Sequence, residues 1–133
     1  MYAKKGQVVE LLLEYGLHHA RISCAANLIP SPGQYLLAGS ASRPDSLPAS
    51  IFSTESAPES GKMAPQRQFI ACAPIPEFWT PGTELYLRGP FGHGFSVPPS
   101  ARNIALVAFD DSPARLQALM QIGLKQGAAV TLV

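Results

Sequence analysis

Charged residues are scarce in this sequence, and neither sign of charge dominates. Charged side chains make up 14% of the 133 residues, and the formal net charge at pH 7 is +1. This balance gives no basic surface for nucleic acid or for acidic membranes. The sequence has no apolar run near the roughly 20 residues that span a bilayer. Residues 1–6 are not followed by the uninterrupted apolar segment and cleavage site that are typical of a signal peptide. We therefore expect a cytoplasmic protein that binds neither nucleic acid nor membrane.

Cysteine is also scarce, which limits metal and redox chemistry. Cys24 and Cys72 lie alone in predicted strands, without a C-x-x-C pair. We interpret both as buried, inert thiols. His18 and His19 are adjacent in a predicted strand and therefore point to opposite faces, which disfavours joint metal ligation. The sequence predicts no metal site.

Proline and glycine are abundant, with 13 and 11 residues respectively, and this favours short strands and turns over long helices. Apolar residues make up 47% of the chain, so we expect part of the surface to contact a partner. The apolar segments predict six strands, at residues 7–15, 17–25, 34–38, 49–54, 67–73 and 84–88. Residues 8–13 also fit a helix by periodicity, but segment length and the glycine boundaries favour a strand.

The most informative motif follows the sixth predicted strand, where residues 89–95 read G-P-F-G-H-G-F. Glycines at this density let the backbone pass close to a flat ligand or a neighbouring domain, so we interpret the stretch as a junction, not a core strand. The motif resembles the G-P-L-G-x-G-F signature of the ferredoxin reductase-like flavoproteins, most closely the electron-transfer subunit of dihydroorotate dehydrogenase and its sulfhydrogenase relatives. The P-G-Q-Y of residues 32–35 similarly resembles a family P-G-Q-F.

This resemblance implies a mainly β protein with two parts. Residues 1–98 would form a six-stranded antiparallel, reductase-type flavin-binding barrel, and residues 99–133 an incomplete Rossmann-like β-α-β unit. The implied cofactor is FAD or FMN. The family sequence R-P-x-S, whose serine lies beside the flavin ring, corresponds here to L-P-A-S at residues 47–50. The cofactor-binding residues that the resemblance implies are Pro48, Ser50, Ile51, Gly89, Pro90, Gly92, Gly94 and Phe95; no catalytic residue is predicted.

The chain departs from the family pattern where phosphate groups would bind. Leu47 replaces the arginine that neutralises the flavin pyrophosphate, and a leucine cannot make bidentate phosphate contacts. Arg43, four residues upstream, is a candidate substitute. Pro74 and Pro76 remove amide donors from a turn that binds phosphates in the family. Phe78, Trp79 and Tyr86 could stack on a flavin or fill the barrel end, and we favour the structural role.

The last 35 residues predict a strand at 103–109, a helix, and a strand at 128–133. We expect the first strand to be buried on both faces, because it is almost continuously apolar. Ser112 and Pro113 suit the start of the helix, and Gly127 suits its end. A helical stripe is predicted from Leu116, Leu119, Met120, Gly123 and Leu124.

Residues 110–113 read D-D-S-P, where the family has a glycine-rich pyrophosphate turn. Two carboxylates at this position would repel a pyrophosphate, so we do not expect NAD(P) to bind. We also expect no iron–sulfur cluster, because a cluster usually needs four thiolates. The sequence thus leaves two hypotheses: an oxidoreductase-like electron-transfer module related to flavin-dependent NAD(P)H reductases, or a non-catalytic dimerisation or docking module. In either case we expect a homo-oligomer or a subunit of a larger oxidoreductase.

Overall fold

The computed structural model describes residues 3–14, 17–54, 66–72, 74–109 and 116–133. Its elements, in chain order, are β1 (Lys4–Glu14), β2 (Leu17–Ala25), a 3-10 turn (Ala26–Leu28), β3 (Tyr35–Ser40), β4 (Ala49–Ser53), β5 (Gln66–Cys72), β6 (Glu84–Phe91), β7 (Asn103–Leu106), α1 (Gln117–Lys125) and β8 (Ala129–Leu132). The predicted mainly β fold is confirmed.

The first six strands form a closed antiparallel barrel in the order β1-β2-β5-β4-β3-β6. The barrel closes because β1 is 11 residues long and serves two neighbours. Its beginning pairs with β6 from Lys4 to Gln7, and its remainder pairs with β2 as far as Glu14. A register shift between Val8 and Glu10 lies just after the point where β1 changes partner.

Strand alternation separates the barrel interior from its outer face. In β3 every second residue is buried, and in β6 Leu85 and Leu87 are buried while Tyr86 and Arg88 are exposed. The interior is filled mainly by aliphatic side chains, with Phe69 and Trp79 as its aromatic members. Trp79 comes from the segment between β5 and β6 and is 1% exposed. Burial of these side chains provides the dominant stabilisation of the barrel.

The interpretation of residues 89–95 as a junction is wrong for residues 89–91, which belong to a strand. The strand β6 continues through Gly89 and Pro90 to Phe91, because Phe91 pairs with Tyr35 of β3. A true connection to the C-terminal unit begins only at Gly92.

The C-terminal unit consists of β7 and β8, paired in parallel, with α1 packed against them. Gly123 allows the helix to approach closely, since a Cβ atom there would lie 2.9 Å from both Ile104 Cδ1 and Val130 Cγ2. The strand predicted at 103–109 ends at Leu106, and the predicted burial of both its faces is wrong, because Asn103 and Ala105 are exposed. Val107 and Phe109, which follow the strand, are 47% and 83% exposed.

Two other predictions for this unit have different outcomes. The helical stripe is wrong at Leu124, which is 58% exposed, whereas Gly123 is buried as predicted. The predicted helix start at Ser112 and Pro113, and the acidic turn of residues 110–113, lie outside the described residues.

Candidate functional site

Some of the residues predicted for the site, Ser50 among them, lie on the outer face of three adjacent strands. The strand β3 lies between β4 and β6, although these two are more than 30 residues apart in the chain. Leu37 of β3 pairs with Ser50 on one side and with Arg88 on the other. All three side chains point away from the core, since their neighbours Leu36 and Ile51 are fully buried. Ser50 and the segment leading into residues 89–95 therefore belong to one surface.

An aromatic row lies beside these residues on the same face. The ring of Tyr35 is 6.0 Å from that of Phe52 in β4 and 5.6 Å from that of Phe91 in β6, measured between centroids, with tilted planes. The three rings thus extend across three strands. Tilted ring pairs at these separations are favourable contacts, and the row gives this end of the face an apolar, polarisable surface.

A cavity of about 290 Å³ opens on the other side of Leu37. It lies between β3, β6 and the loop that connects β3 to β4, and its wall includes Arg43, Ser46, Pro48, Tyr86 and Arg88. The volume is at the lower end of the range for small-molecule sites. The cavity therefore combines two guanidinium groups with hydroxyl groups, next to the exposed Ser50.

The glycine-rich segment after β6 is held by the turn before β3. The backbone N–H of Phe95 donates to the carbonyl of Pro32 at 2.7 Å, and Gln34 Nε2 donates to the carbonyl of Gly92 at 3.2 Å. Gly33 has a φ of +95°, and a Cβ atom there would lie 2.7 Å from the Phe95 nitrogen. Only glycine fits this position without displacing the segment.

The predicted site residues are not all equivalent in the structure. Pro48 lines the cavity, Ser50 is exposed beside it, and Gly89 and Pro90 are half-buried in β6. Gly92, Gly94 and Phe95 lie in the exposed segment held by the turn at residues 31–34. The side chain of Ile51 is fully buried in the barrel, so only its backbone is close to the outer face.

The positions of Leu47 and the aromatic residues bear on ligand binding. Leu47 is 91% exposed and does not line the cavity. Trp79 fills the barrel interior, Phe78 packs against the core, and Tyr86 is 47% exposed on the cavity wall. The structural role that we favoured therefore holds for Trp79 and Phe78, whereas Tyr86 faces the candidate site.

Sequence reasoning missed Arg88, Tyr35 and Phe52 as members of the site. Each is an outward-facing strand residue, and the sequence shows that alternation. The sequence does not show that these residues lie close together, because their proximity depends on β3 lying between two strands that are distant in the chain.

The cysteines and the ligating residues give no second site in the part of the chain that the structure describes. Cys24 and Cys72 are buried and not joined in a disulfide, and burial raises the pKa of the Cys24 thiol to about 11. Among the described residues, no group of three or more His, Cys, Asp or Glu side chains could hold a metal ion. Within those ranges no helix has both the length and the apolarity to cross a membrane.

A closed six-stranded antiparallel barrel followed by a parallel β-α-β unit is the architecture of the ferredoxin reductases, and solved structures of that class share it with this chain. The ferredoxin reductase in carbazole 1,9a-dioxygenase matches with a TM-score of 0.67 at 19% identity, covering 98% of this chain and 41% of its own. A structure of the same reductase described as its FAD apo form matches with a TM-score of 0.67 at 18% identity, covering 98% and 42%.

The ferredoxin-NADP+ reductase from Plasmodium falciparum, in a structure with 2'P-AMP, matches with a TM-score of 0.69 at 11% identity, covering 99% of this chain and 62% of its own. The chain thus spans about two fifths to three fifths of the length of these reductases. The sequence matches no family model. No curated protein matches it either. The comparisons show the fold, and the finer resemblance to the dihydroorotate dehydrogenase subunit stays a prediction.

Proposed function

We propose that the chain is a flavin-binding, oxidoreductase-like electron-transfer module. The observation that carries this proposal is that Ser50 of β4 and Arg88 of β6 pair with the same residue of β3, Leu37, and so lie on one outer face. The sequence motifs that resemble those of flavoproteins thus contribute to one outer face. The fold shared with ferredoxin reductases supports the same interpretation.

The residues on this face fit a flavin nucleotide. The aromatic row of Tyr35, Phe52 and Phe91 offers an apolar surface for a planar ring, and the Ser50 hydroxyl offers a hydrogen-bonding group. The cavity beyond Leu37 adds positive charge for phosphate groups. A flavin, when bound, supplies redox chemistry with one or two electrons; the residues of this chain would bind and orient it. In this proposal NAD(P) does not bind to this chain.

The test is the visible spectrum of the purified protein after incubation with excess FAD or FMN and removal of the free flavin. Retained absorbance in the flavin bands supports the proposal. Ser50→Glu places a negative charge on the candidate face and should abolish retention. Gln68→Glu, at an exposed position of β5, adds the same charge elsewhere and should not. A wild-type protein that stays colourless contradicts the proposal.

A second function, a non-catalytic dimerisation or docking module, is favoured by the exposed apolar residues of the C-terminal unit. Phe109 is 83% exposed, Leu124 58% and Leu132 40%. Exposed apolar surface of this kind is typical of contact regions. The partner would be a second copy or a larger oxidoreductase. A colourless protein that sediments as a dimer would support this function. A colourless protein that sediments as a monomer and binds no partner would contradict it.

A further inference from the structure

We propose that Arg43 and Arg88 bind the diphosphate group of a nucleotide ligand, in place of a side chain at position 47. This inference rests on the flavin-binding function proposed above and specifies which residues hold the anionic part of the ligand. Both arginines line the cavity of about 290 Å³ on the outer face of β3 and β6. Two guanidinium groups on the wall of one small cavity repel each other, and an anion between them removes that repulsion.

No carboxylate balances this positive charge in the part of the chain that the structure describes. The ion pair seen in those ranges joins Arg21 to Glu10, with 2.6 Å between Nε and Oε1, on a different part of the barrel. The lining of the cavity contains neither Asp nor Glu, although Asp45 belongs to the same loop. The neutral groups on the wall include the hydroxyl-bearing side chains of Ser46 and Tyr86, which can donate hydrogen bonds to an anion.

The guanidinium of Arg43 is oriented by an aromatic ring. Its Cζ atom lies 4.6 Å from the centroid of the Phe78 ring, and Phe78 itself packs against the barrel core. This is a cation–π contact, in which the ring face attracts the cation. Such a contact does not use up the five N–H donors of the guanidinium, which remain available to a ligand. Arg43 is thus held at the cavity without losing its donors to the contact.

The loop that carries Arg43 is fixed by its own hydrogen bonds. The Arg43 N–H donates to the carbonyl of Ser40 at 3.3 Å, and both the N–H and the hydroxyl of Ser46 donate to the carbonyl of Arg43, at 3.1 and 2.7 Å. The N–H of Ala41 donates to the carbonyl of Glu84 at 3.0 Å, which ties the loop to β6. A loop held in this way loses less conformational freedom when a ligand binds.

Arg88 lies on the cavity wall and in the same row of residues as Ser50. Arg88 pairs with Leu37, which pairs with Ser50, so the anion site and the serine lie on one row across three strands. The aromatic row at Tyr35 is the next outward-facing row along β3. A ligand with a planar ring and a diphosphate can therefore contact both rows at once. Leu47 takes no part, since it is 91% exposed and outside the cavity.

The test compares the affinities of four ligands, FAD, FMN, riboflavin and inorganic pyrophosphate, for the full chain and its variants, by isothermal titration calorimetry. Arg43→Gln and Arg88→Gln should each weaken FAD and pyrophosphate binding about tenfold, because each removes charge-assisted hydrogen bonds. Riboflavin, which has no phosphate, should bind equally well to all. Arg102→Gln, which removes an exposed arginine just before β7, is the matched control and should bind like the wild type.

The lysine variants Arg43→Lys and Arg88→Lys keep the charge but lose the guanidinium fork, and we expect an intermediate affinity for FAD. They also carry the test if either glutamine variant does not fold, as judged by its thermal unfolding. Binding of FAD and pyrophosphate should weaken with added salt, since both arginines are exposed.

The outcomes separate this inference from the proposed function. Flavin binding that is unchanged in both glutamine variants overturns the arginine site and leaves the proposed function standing. Loss of affinity in Arg102→Gln as large as in the cavity variants also overturns it, because a general charge effect then explains the result. Pyrophosphate binding that depends on both arginines without any flavin binding supports the anion site and contradicts the flavin function. Absence of binding by all four ligands overturns both.

Discussion

Replacing Gly33 by alanine tests whether the turn before β3 holds the glycine-rich segment after β6. Gly33 has a φ of +95°, and a Cβ atom there would lie 2.7 Å from the Phe95 nitrogen and 2.9 Å from the His93 oxygen. These are backbone atoms, so the contact cannot be relieved by rotating a side chain. The backbone conformation alone costs a non-glycine residue about 1–2 kcal/mol. The contact adds about 1–3 kcal/mol, as overpacking does in a well-packed region.

Gly82 supplies a matched control, because its φ is +92° and a Cβ atom added there would meet nothing within 4 Å. Gly82→Ala should therefore lower the free energy of unfolding by about 1–2 kcal/mol, and Gly33→Ala by about 2–5 kcal/mol. Gly39, which has open space and no positive φ, is a second control, and Gly39→Ala should change stability by less than about 1 kcal/mol. Urea unfolding followed by far-UV circular dichroism measures all three. Equal losses for Gly33→Ala and Gly82→Ala would refute the proposed hold on the segment.

Three further predictions concern other parts of the fold. Leu87→Ala should lower the free energy of unfolding in urea by about 2–5 kcal/mol, because Leu87 is fully buried. The control Leu47→Ala should change it by no more than about 0.5 kcal/mol, and equal effects would contradict the assigned core. Burial raises the pKa of the Cys24 thiol from 9.0 to about 11, so the folded state favours the protonated form and the wild type should lose stability relative to Cys24→Ala as pH rises from 9 to 11. A constant difference in urea midpoints over that range would contradict this. Gly123→Leu should cost about 1–3 kcal/mol and speed amide exchange in α1, while Lys125→Leu, at an exposed position, should do neither.

Much of the barrel could be predicted from the sequence, because alternation of apolar and polar residues reports directly which side of a strand faces the core. The predicted strand at 49–54 corresponds to β4, and that at 17–25 to β2. The strand β6 was predicted to end at Arg88, since Gly89 and Pro90 are typical of turns. The structure extends it to Phe91 through pairing with Tyr35, a long-range contact that local composition does not contain.

The site was harder to predict than the strands that carry it. Pro48 and Ser50 were found because they resemble a motif, but Arg88 carries no motif of its own. Its role depends on the strand order β4-β3-β6, in which neighbours in space are not neighbours in sequence. The prediction that residues 103–109 are buried on both faces was wrong for a related reason. The apolar run indicates a strand with two covered faces, but α1 covers only one face.

The contact between Arg43 and Phe78 has a practical consequence for studying the cavity. Phe78 is followed by Trp79, the single tryptophan of the chain, whose indole is 1% exposed inside the barrel. Phe78, which contacts Arg43, is therefore adjacent in sequence to the single indole of the chain. The intrinsic fluorescence of Trp79 therefore offers a way to follow ligand binding in the cavity without an attached label.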